Sequence, residues 1–230
     1  MPEHASRLLV FYGGTFDPVH CGHLAVAKAA QERLRATVHL LPAADPPHRP
    51  PTGADAAQRA AMLSLAIEGE PGLQVDGREL ERGDPSRTID TLRSVRAERG
   101  AELPIAFVLG ADSFRTLPDW KGWPALFDAA HWIVAGREGH PLEEGLPAGL
   151  AAAVQGRRTE DADRLQAARG GCVLPLQQPL HPVSASRIRA LVAAGGPWRH
   201  LVPRAVAAFI DHHRLYMAPG AGSAPDVPPL

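Results

Sequence analysis

The stretch GGTFDPVHCGHLAVAKAA, from Gly13 to Ala30, constrains the fold more than any other part of the chain. It joins the apolar run Leu8 to Tyr12, which reads as a buried strand, to Gly22 to Arg35, an alanine-rich segment that reads as a helix. A second apolar run follows at Thr37 to Leu41, so strand, helix and strand succeed one another at the length of a βαβ unit. Strands joined in this way run parallel. The junction also carries chemistry. Gly13 and Gly14 expose backbone N–H groups where the strand ends, and His20 and His23 sit one helical turn apart, where both rings can face the space above the glycines.

The same alternation continues downstream. Helical patterns cover Asp55 to Glu68 and Thr88 to Arg99, and strand patterns cover Ile105 to Leu109 and Trp132 to Ala135. Short helices are expected at Asp112 to Leu117 and Pro124 to Ala130, on either side of a turn at Pro118 to Gly122. A last strand is expected at Cys172 to Leu176, then helices at Ser184 to Ala194 and Pro203 to His213. Glu138 to Gly171 gives no readable organisation. The pattern predicts an α/β fold, a parallel sheet with helices on both faces and its ligand site at the carboxyl ends of the strands. A length of 230 residues fits one domain, 1–217, with the C-terminal helices from about 184 included. The remainder, 218–230, has too little apolar surface to order itself and is expected to be a disordered tail.

Composition excludes several classes of function. A formal charge of −1 and a sequence pI near 6.8 supply no field for coating nucleic acid or an anionic membrane, so any anion site must be local. No apolar run approaches the roughly 18 residues of a membrane span, and no signal core follows the N-terminus. The two cysteines, Cys21 and Cys172, fit a reducing compartment, and a cytoplasmic location is expected. The sequence leaves a homo-oligomer open.

Three constellations fall after successive expected strands. At the first, a glycine pair alone would be a tight turn, and His20, Cys21 and His23 could be read as zinc ligands. A structural zinc wants four ligands, which the surroundings do not offer, so phosphate is the preferred reading. The second, VSASRIRAL from Val183 to Leu191, sets Ser184, Ser186, Arg187 and Arg189 at a helix start. One serine could simply cap the helix, but hydroxyls, free N–H groups and a guanidinium fork together suit a polyphosphate. Spacing does not say which arginine takes part. The third, GADSFRTLPDW from Gly110 to Trp120, puts Asp112 just past a strand, where it could accept from a ribose hydroxyl or merely cap a helix. Trp120 and Trp123 are core candidates, although a tryptophan in a Pro/Asp/Gly turn can also stack on an aromatic ligand. DPPHRP, Asp45 to Pro50, is a stiff loop carrying His48 and Arg49.

In this order the motifs resemble those of bacterial nicotinate mononucleotide adenylyltransferases, within the HxGH nucleotidyltransferases. GGTFDPVHCGH is similar to that family's GGTFDPxHxGH, DPPHR to its PPHK/R loop, GADS with Trp120 to its GxDS…W segment, and VSASRIR to its (I/V)SSTxIR. PSRTIDTL, Pro85 to Leu92, also resembles the family, and the likeness runs from about Arg7 to Tyr216. It implies a Rossmann-like nucleotidyltransferase fold, with ATP and nicotinate mononucleotide giving deamido-NAD and pyrophosphate. Mg²⁺ would be carried mainly by the ATP phosphates, and the sequence assigns it no protein ligands.

The resemblance further implies roles. His20, His23 and Arg189 would be catalytic. Gly13, Gly14, Thr15, Phe16, Gly110, Asp112, Ser184 and Ser186 would bind ATP. Ala44, His48, Arg49, Thr88, Trp120 and Arg137 would bind the mononucleotide, with Trp120 stacked on its pyridine ring. The paired HxGH and SxSxIR motifs would also suit a pantetheine-phosphate adenylyltransferase or a cytidylyltransferase. DPPHR, PSRT and Trp120 favour the nicotinate branch. A catalytically silent nucleotide sensor and a zinc-stabilised interaction protein are the readings from other classes.

Overall fold

Alternate side chains of the first strand, β1 (Leu9–Gly14), enter two different cores: Val10 and Tyr12 one, Phe11 the other. Burial on both faces is why its sequence reads as an unbroken apolar run. The structure, a computed structural model, describes residues 7–44, 53–82, 87–136, 142, 144–178 and 182–218. After β1 come α1 (Cys21–Leu34), β2 (Val38–Pro42), α2 (Ala56–Ala66), β3 (Leu73–Val75), α3 (Arg78–Glu81) and α4 (Thr88–Arg99). The chain continues through β4 (Ile105–Gly110), α5 (Ala111–Arg115), α6 (Trp123–Ala129), β5 (His131–Ala135), α7 (Ala148–Val154), β6 (Val173–Leu176), α8 (Ala185–Ala193) and α9 (Arg204–His213). Short 3₁₀ turns lie at Leu117–Asp119, Asp163–Gln166 and Arg199–Leu201.

The strands form one sheet in the order β3-β2-β1-β4-β5-β6, and every neighbouring pair is parallel. This is the doubly wound Rossmann arrangement, with the expected parallel sheet. The chain turns outward in opposite directions from β1 and β4, which opens a crevice at their carboxyl ends. Helices cover both faces. On one, Ala27 and Ala30 of α1, Met62 and Leu63 of α2, Ile188 of α8 and Ile210 of α9 share a core. On the other, Leu92 and Val95 of α4, Leu126 and Phe127 of α6 and Leu150 of α7 share a second. Each fully buried Leu or Ile contributes roughly 1.5–3 kcal/mol through the area it removes from water.

Local chemistry fixes the element ends. Asp55 accepts from the backbone N–H of Gln58 at 2.8 Å while Gln58 accepts from that of Asp55 at 3.0 Å, a reciprocal cap for α2 worth about 1 kcal/mol. β1 runs two residues past the expected Tyr12, because Gly13 and Gly14 still pair with Leu41 and Pro42 of β2. β3 and α3 were not anticipated, since three and four residues are too few to show a period. Within the unreadable stretch, α7 packs under the second core, and Thr159 donates its backbone N–H to Val173 at 2.9 Å. The expected tail lies outside the described residues from 219 onward. Among the described residues no helix is long and apolar enough to cross a membrane.

Candidate active site

Two cavities meet at the carboxyl ends of the strands. The larger, about 770 Å³, spans the ends of β1, β4 and β5 and the starts of α1 and α8. The smaller, about 430 Å³, lies on the β2 and α4 side, and Gly13, Gly14, Thr15 and Ser113 line both. Anything bound in one cavity is therefore separated from the other only by the end of β1 and the loop after it.

His20 and His23 line the larger cavity and hold each other in place. His20 is the N-cap of α1: its Nδ1 accepts from the backbone N–H of His23, and the Nδ1 of His23 accepts from that of His20, both at 3.3 Å. Histidines thus play both parts of a capping box normally built from Ser or Thr with Glu or Gln. The arrangement fixes protonation. With Nδ1 accepting, a neutral imidazole carries its proton on Nε2, so each ring presents one N–H donor. The rings stack with centroids 3.6 Å apart, 19° from parallel, so a second positive charge would be costly. Burial, and then the neighbouring His20, hold His23 well below the usual histidine pKa. Phe16, buried with a left-handed φ of 52°, meets the His23 ring edge-on at 5.0 Å and carries the chain into the cis Asp17–Pro18 peptide.

The second constellation docks directly on the first. A Cβ on Gly22 would lie 3.0 Å from Val183 Cγ1 and 3.1 Å from His20 Nδ1, so the glycine lets the segment before α8 approach the histidine pair without either side chain having to give way. Ser184 is the N-cap of α8, accepting from the backbone N–H of Arg187 at 3.3 Å, and its hydroxyl lies 3.2 Å from that of Ser186. The structure also separates the two arginines. Arg189 lines the cavity and donates to the carbonyl oxygen of Asp17 at 2.6 Å, whereas Arg187 bonds the carbonyl of Pro182. Gly110 and Asp112 line the opposite wall. Gly110, not Asp112, precedes α5, while the exposed Asp112 pairs with Arg115 at 3.1 Å.

The smaller cavity is mostly apolar. Leu41, Ile89, Phe107, Leu109 and Leu126 form its walls, Thr88 opens α4 at one side, and Trp120 meets the buried Trp132 edge-on at 6.3 Å. Ala43 lines it, beside the expected Ala44. His48, Arg49 and Arg137 lie outside the described residues. Among the described residues no three His, Cys, Asp or Glu side chains group to hold a metal. Among the described residues, the zinc reading of His20, Cys21 and His23 accordingly finds no completing ligands, and no carboxylate cage for Mg²⁺ is built.

Some contributors carried no local signal. Arg59 is buried, with 1% of its surface exposed, and donates to the carbonyl oxygen of Thr15 at 2.7 Å. Its one trace in the sequence is position: it falls on the stripe completed by Met62, Leu63 and Ala66, where an arginine is out of place unless it has a buried partner. Arg87 and Lys121 bring positive charge to the mouth of the smaller cavity, and the buried Glu79 accepts from the Thr91 hydroxyl at 2.6 Å in its wall.

Comparison with known proteins agrees with this architecture. The sequence model of the cytidylyltransferase-like family matches residues 11–191. A Stenotrophomonas maltophilia protein named "Probable nicotinate-nucleotide adenylyltransferase" is 51% identical over 92% of this chain and 98% of its own. Proteins of the same name from Xylella fastidiosa (45% identical, 91% of this chain, 96% of theirs) and Pseudomonas aeruginosa (44%, 90% and 96%) are also similar. Among solved structures, Plasmodium falciparum nicotinic acid mononucleotide adenylyltransferase complexed with NaAD superposes with a TM-score of 0.69. It covers 91% of this chain and 97% of its own at 14% identity, which speaks for the fold alone.

Proposed function

The chain belongs to the cytidylyltransferase-like family and, within it, to the nicotinate-nucleotide adenylyltransferases, and from that premise we propose how its residues transfer an adenylyl group from ATP to nicotinate mononucleotide. The products are deamido-NAD and pyrophosphate, a step of NAD biosynthesis. The observation that carries the reading is the pair of cavities sharing the end of β1, one lined by the stacked imidazoles of His20 and His23 and by Ser184, Ser186 and Arg189, the other mostly apolar and fronted by a tryptophan. Two substrates held on either side of that shared floor would meet over Gly13 to Thr15.

The nucleophile is the 5′-phosphate oxygen of the mononucleotide, already anionic, so no activated serine or cysteine is required. It attacks the α-phosphorus of ATP, a P–O–P bond forms, and the α–β bridging bond breaks with its electron pair leaving on pyrophosphate. What the protein must supply is alignment and compensation for negative charge. On our reading the Nε2–H groups of His20 and His23 donate to the α-phosphate and to the oxygen that departs. Ser184, Ser186, the open N-terminus of α8 and Arg189 take the β- and γ-phosphates. Gly13, Gly14, Thr15 and Phe16 cradle the nucleotide, with Gly110 and Asp112 along its ribose side. Magnesium would enter as the complex with ATP, carried mainly by its phosphates. Trp120 stacks on the pyridine ring, Thr88 with the amides near Ala44 receives its carboxylate, and His48, Arg49 and Arg137 complete the mononucleotide site. The free thiols of Cys21 and Cys172 support a reducing, cytoplasmic setting.

Pyrophosphate release from ATP and Mg²⁺, with nicotinate mononucleotide and its amide supplied in parallel and the dinucleotide identified by mass, tests the reading. Preference for the acid is expected. Equal use of both would remove the acid specificity and keep the transfer, and no product with either would overturn the function.

A further inference from the structure

The network behind Arg189 contains a residue that the reaction as described does not use. Asp17 is buried, 2% exposed, and offers three acceptor oxygens to its surroundings. Arg189 takes the main-chain carbonyl at 2.6 Å and meets the carboxylate Oδ2 at 3.8 Å, a loose ion pair beyond hydrogen-bonding distance. The other carboxylate oxygen is held by Tyr216, whose hydroxyl donates to Oδ1 at 2.6 Å across 199 positions of sequence. Oδ2 is buried without a hydrogen-bond partner. Left to itself, a buried carboxylate beside a guanidinium closes into a two-point ion pair.

Tyr216 is held where it is with some effort. It follows the left-handed Arg214 cap of α9 and itself sits at a φ of 64°, a conformation that bulky residues rarely adopt. Its ring lies against Gly53, where a Cβ would come within 2.6 Å of Tyr216 Cδ1 and 3.8 Å of Arg189 Cδ. Burial and the bond to Asp17 raise the phenol far above its ordinary pKa, so the hydroxyl remains a donor at any working pH.

We propose that Tyr216 is a positioning residue for the phosphate site: by holding Oδ1 of the Asp17 carboxylate it keeps the loose 3.8 Å ion pair with Arg189 from closing into a two-point pair, so that the guanidinium stays turned toward the larger cavity. The proposal rests on the adenylyltransferase reading for its rate measurements, but not for ATP binding, which is measured separately.

The test compares wild type, Tyr216→Phe, Asp17→Asn and the double variant in full-length protein, by equilibrium binding of Mg·ATP, by KM and kcat in pyrophosphate release, and by thermal unfolding. Tyr216→Phe keeps the ring on Gly53 and removes only the donor. It is expected to weaken ATP binding and raise the ATP KM about tenfold, the worth of one hydrogen bond to a charged group. Adding Asp17→Asn removes the charge that captures Arg189, so the double variant should return to within about threefold of wild type. A destabilising change without this role would lower the unfolding temperature and show no such reversal. The proposal is overturned if Tyr216→Phe binds ATP as wild type does, or if the double variant binds no better than Tyr216→Phe. Should Tyr216→Phe not fold, Asp17→Asn decides: ATP binding within threefold of wild type is expected, and a tenfold loss overturns the proposal. A wild-type protein that binds ATP but releases no pyrophosphate would defeat the function and leave the binding comparison intact.

Discussion

The two cavities are built on opposite principles. The larger is assembled from chain starts: His20 and Ser184 cap two helices whose first turns face one another across Gly22, so its polar groups are fixed by backbone geometry. The smaller is assembled from packing. Its walls are side chains from β2, α4, β4 and α6, and the indole of Trp120 meets another tryptophan edge-on. An end suited to phosphate, as we propose for the larger cavity, can be specified by a few contiguous residues, because oriented N–H groups come with the helix start. An end suited to a ring, as we propose for the smaller, needs the whole fold around it.

If that contrast is right, the largest losses come from the smallest changes at the polar end. His20→Asn retains a good helix cap, since asparagine also accepts from the N–H two or three residues on, while replacing an imidazole donor by a shorter amide. The expected outcome is a fall in kcat of roughly 100-fold or more with ATP affinity changed only a few-fold, as for loss of one donor to a developing charge. Unfolding should move little. Single-turnover rates near wild type with collapsed ATP binding would show that His20 binds the ground state instead, and the contrast between a chemical end and a packing end would fail.

At the apolar end, Trp120→Leu fills much of the same volume and removes only the flat face. We expect the KM for nicotinate mononucleotide to rise about tenfold with kcat and the ATP KM nearly unchanged, in keeping with one lost ring-on-ring contact. An equal rise in both KM values would mean that the two cavities are not separable through their shared floor.

The contrast also explains how much could be read in advance. The histidine pair, the glycines and the SASRIR helix start were legible because caps are made between residues three positions apart, which sequence displays directly. The sheet and most helices followed from periodicity for the same reason. The smaller cavity was only partly legible. Trp120, Thr88 and the neighbouring Arg87 were placed there through the family likeness, while Glu79 and Lys121 reach the same cavity only once the chain has folded. Arg59 is an intermediate case, an arginine on an apolar stripe whose partner, the Thr15 carbonyl, lies 44 positions away. Nothing near Tyr216 announces Asp17.

Protonation offers a smaller effect that again separates the ends. The His23 pKa is depressed in the folded protein by burial and by His20, so the unfolded chain takes up a proton first as pH falls below the ordinary value of 6.5. The stability attached to neutral His23 is therefore fully present above that value and lost toward the lower folded one. His39 and His131, also lowered chiefly by burial, act in the same direction. The unfolding temperature should fall between pH 7.5 and 5.5. His23→Gln should remove part of that slope and leave the part due to the other two. A slope untouched by the substitution would mean that His23 is not held neutral by its burial and its stacked partner.

The smallest expected effect tests whether the apolar end reads charge at all. Arg87 and Lys121 are both exposed at the mouth of the smaller cavity, so their attraction for a bound carboxylate is screened by water and salt. The buried Glu79, held by Thr91 and through it by Arg82, opposes them from inside the wall. Replacing both cations, in Arg87→Gln with Lys121→Gln, should reduce the preference for the acid over the amide mononucleotide by only about threefold. The effect should fade as salt is raised. A loss of tenfold or more that persists in high salt would show that these side chains close over the ring and bind it directly. The apolar end would then be specified by charge much as the phosphate end is, and the difference between the two cavities would be one of degree.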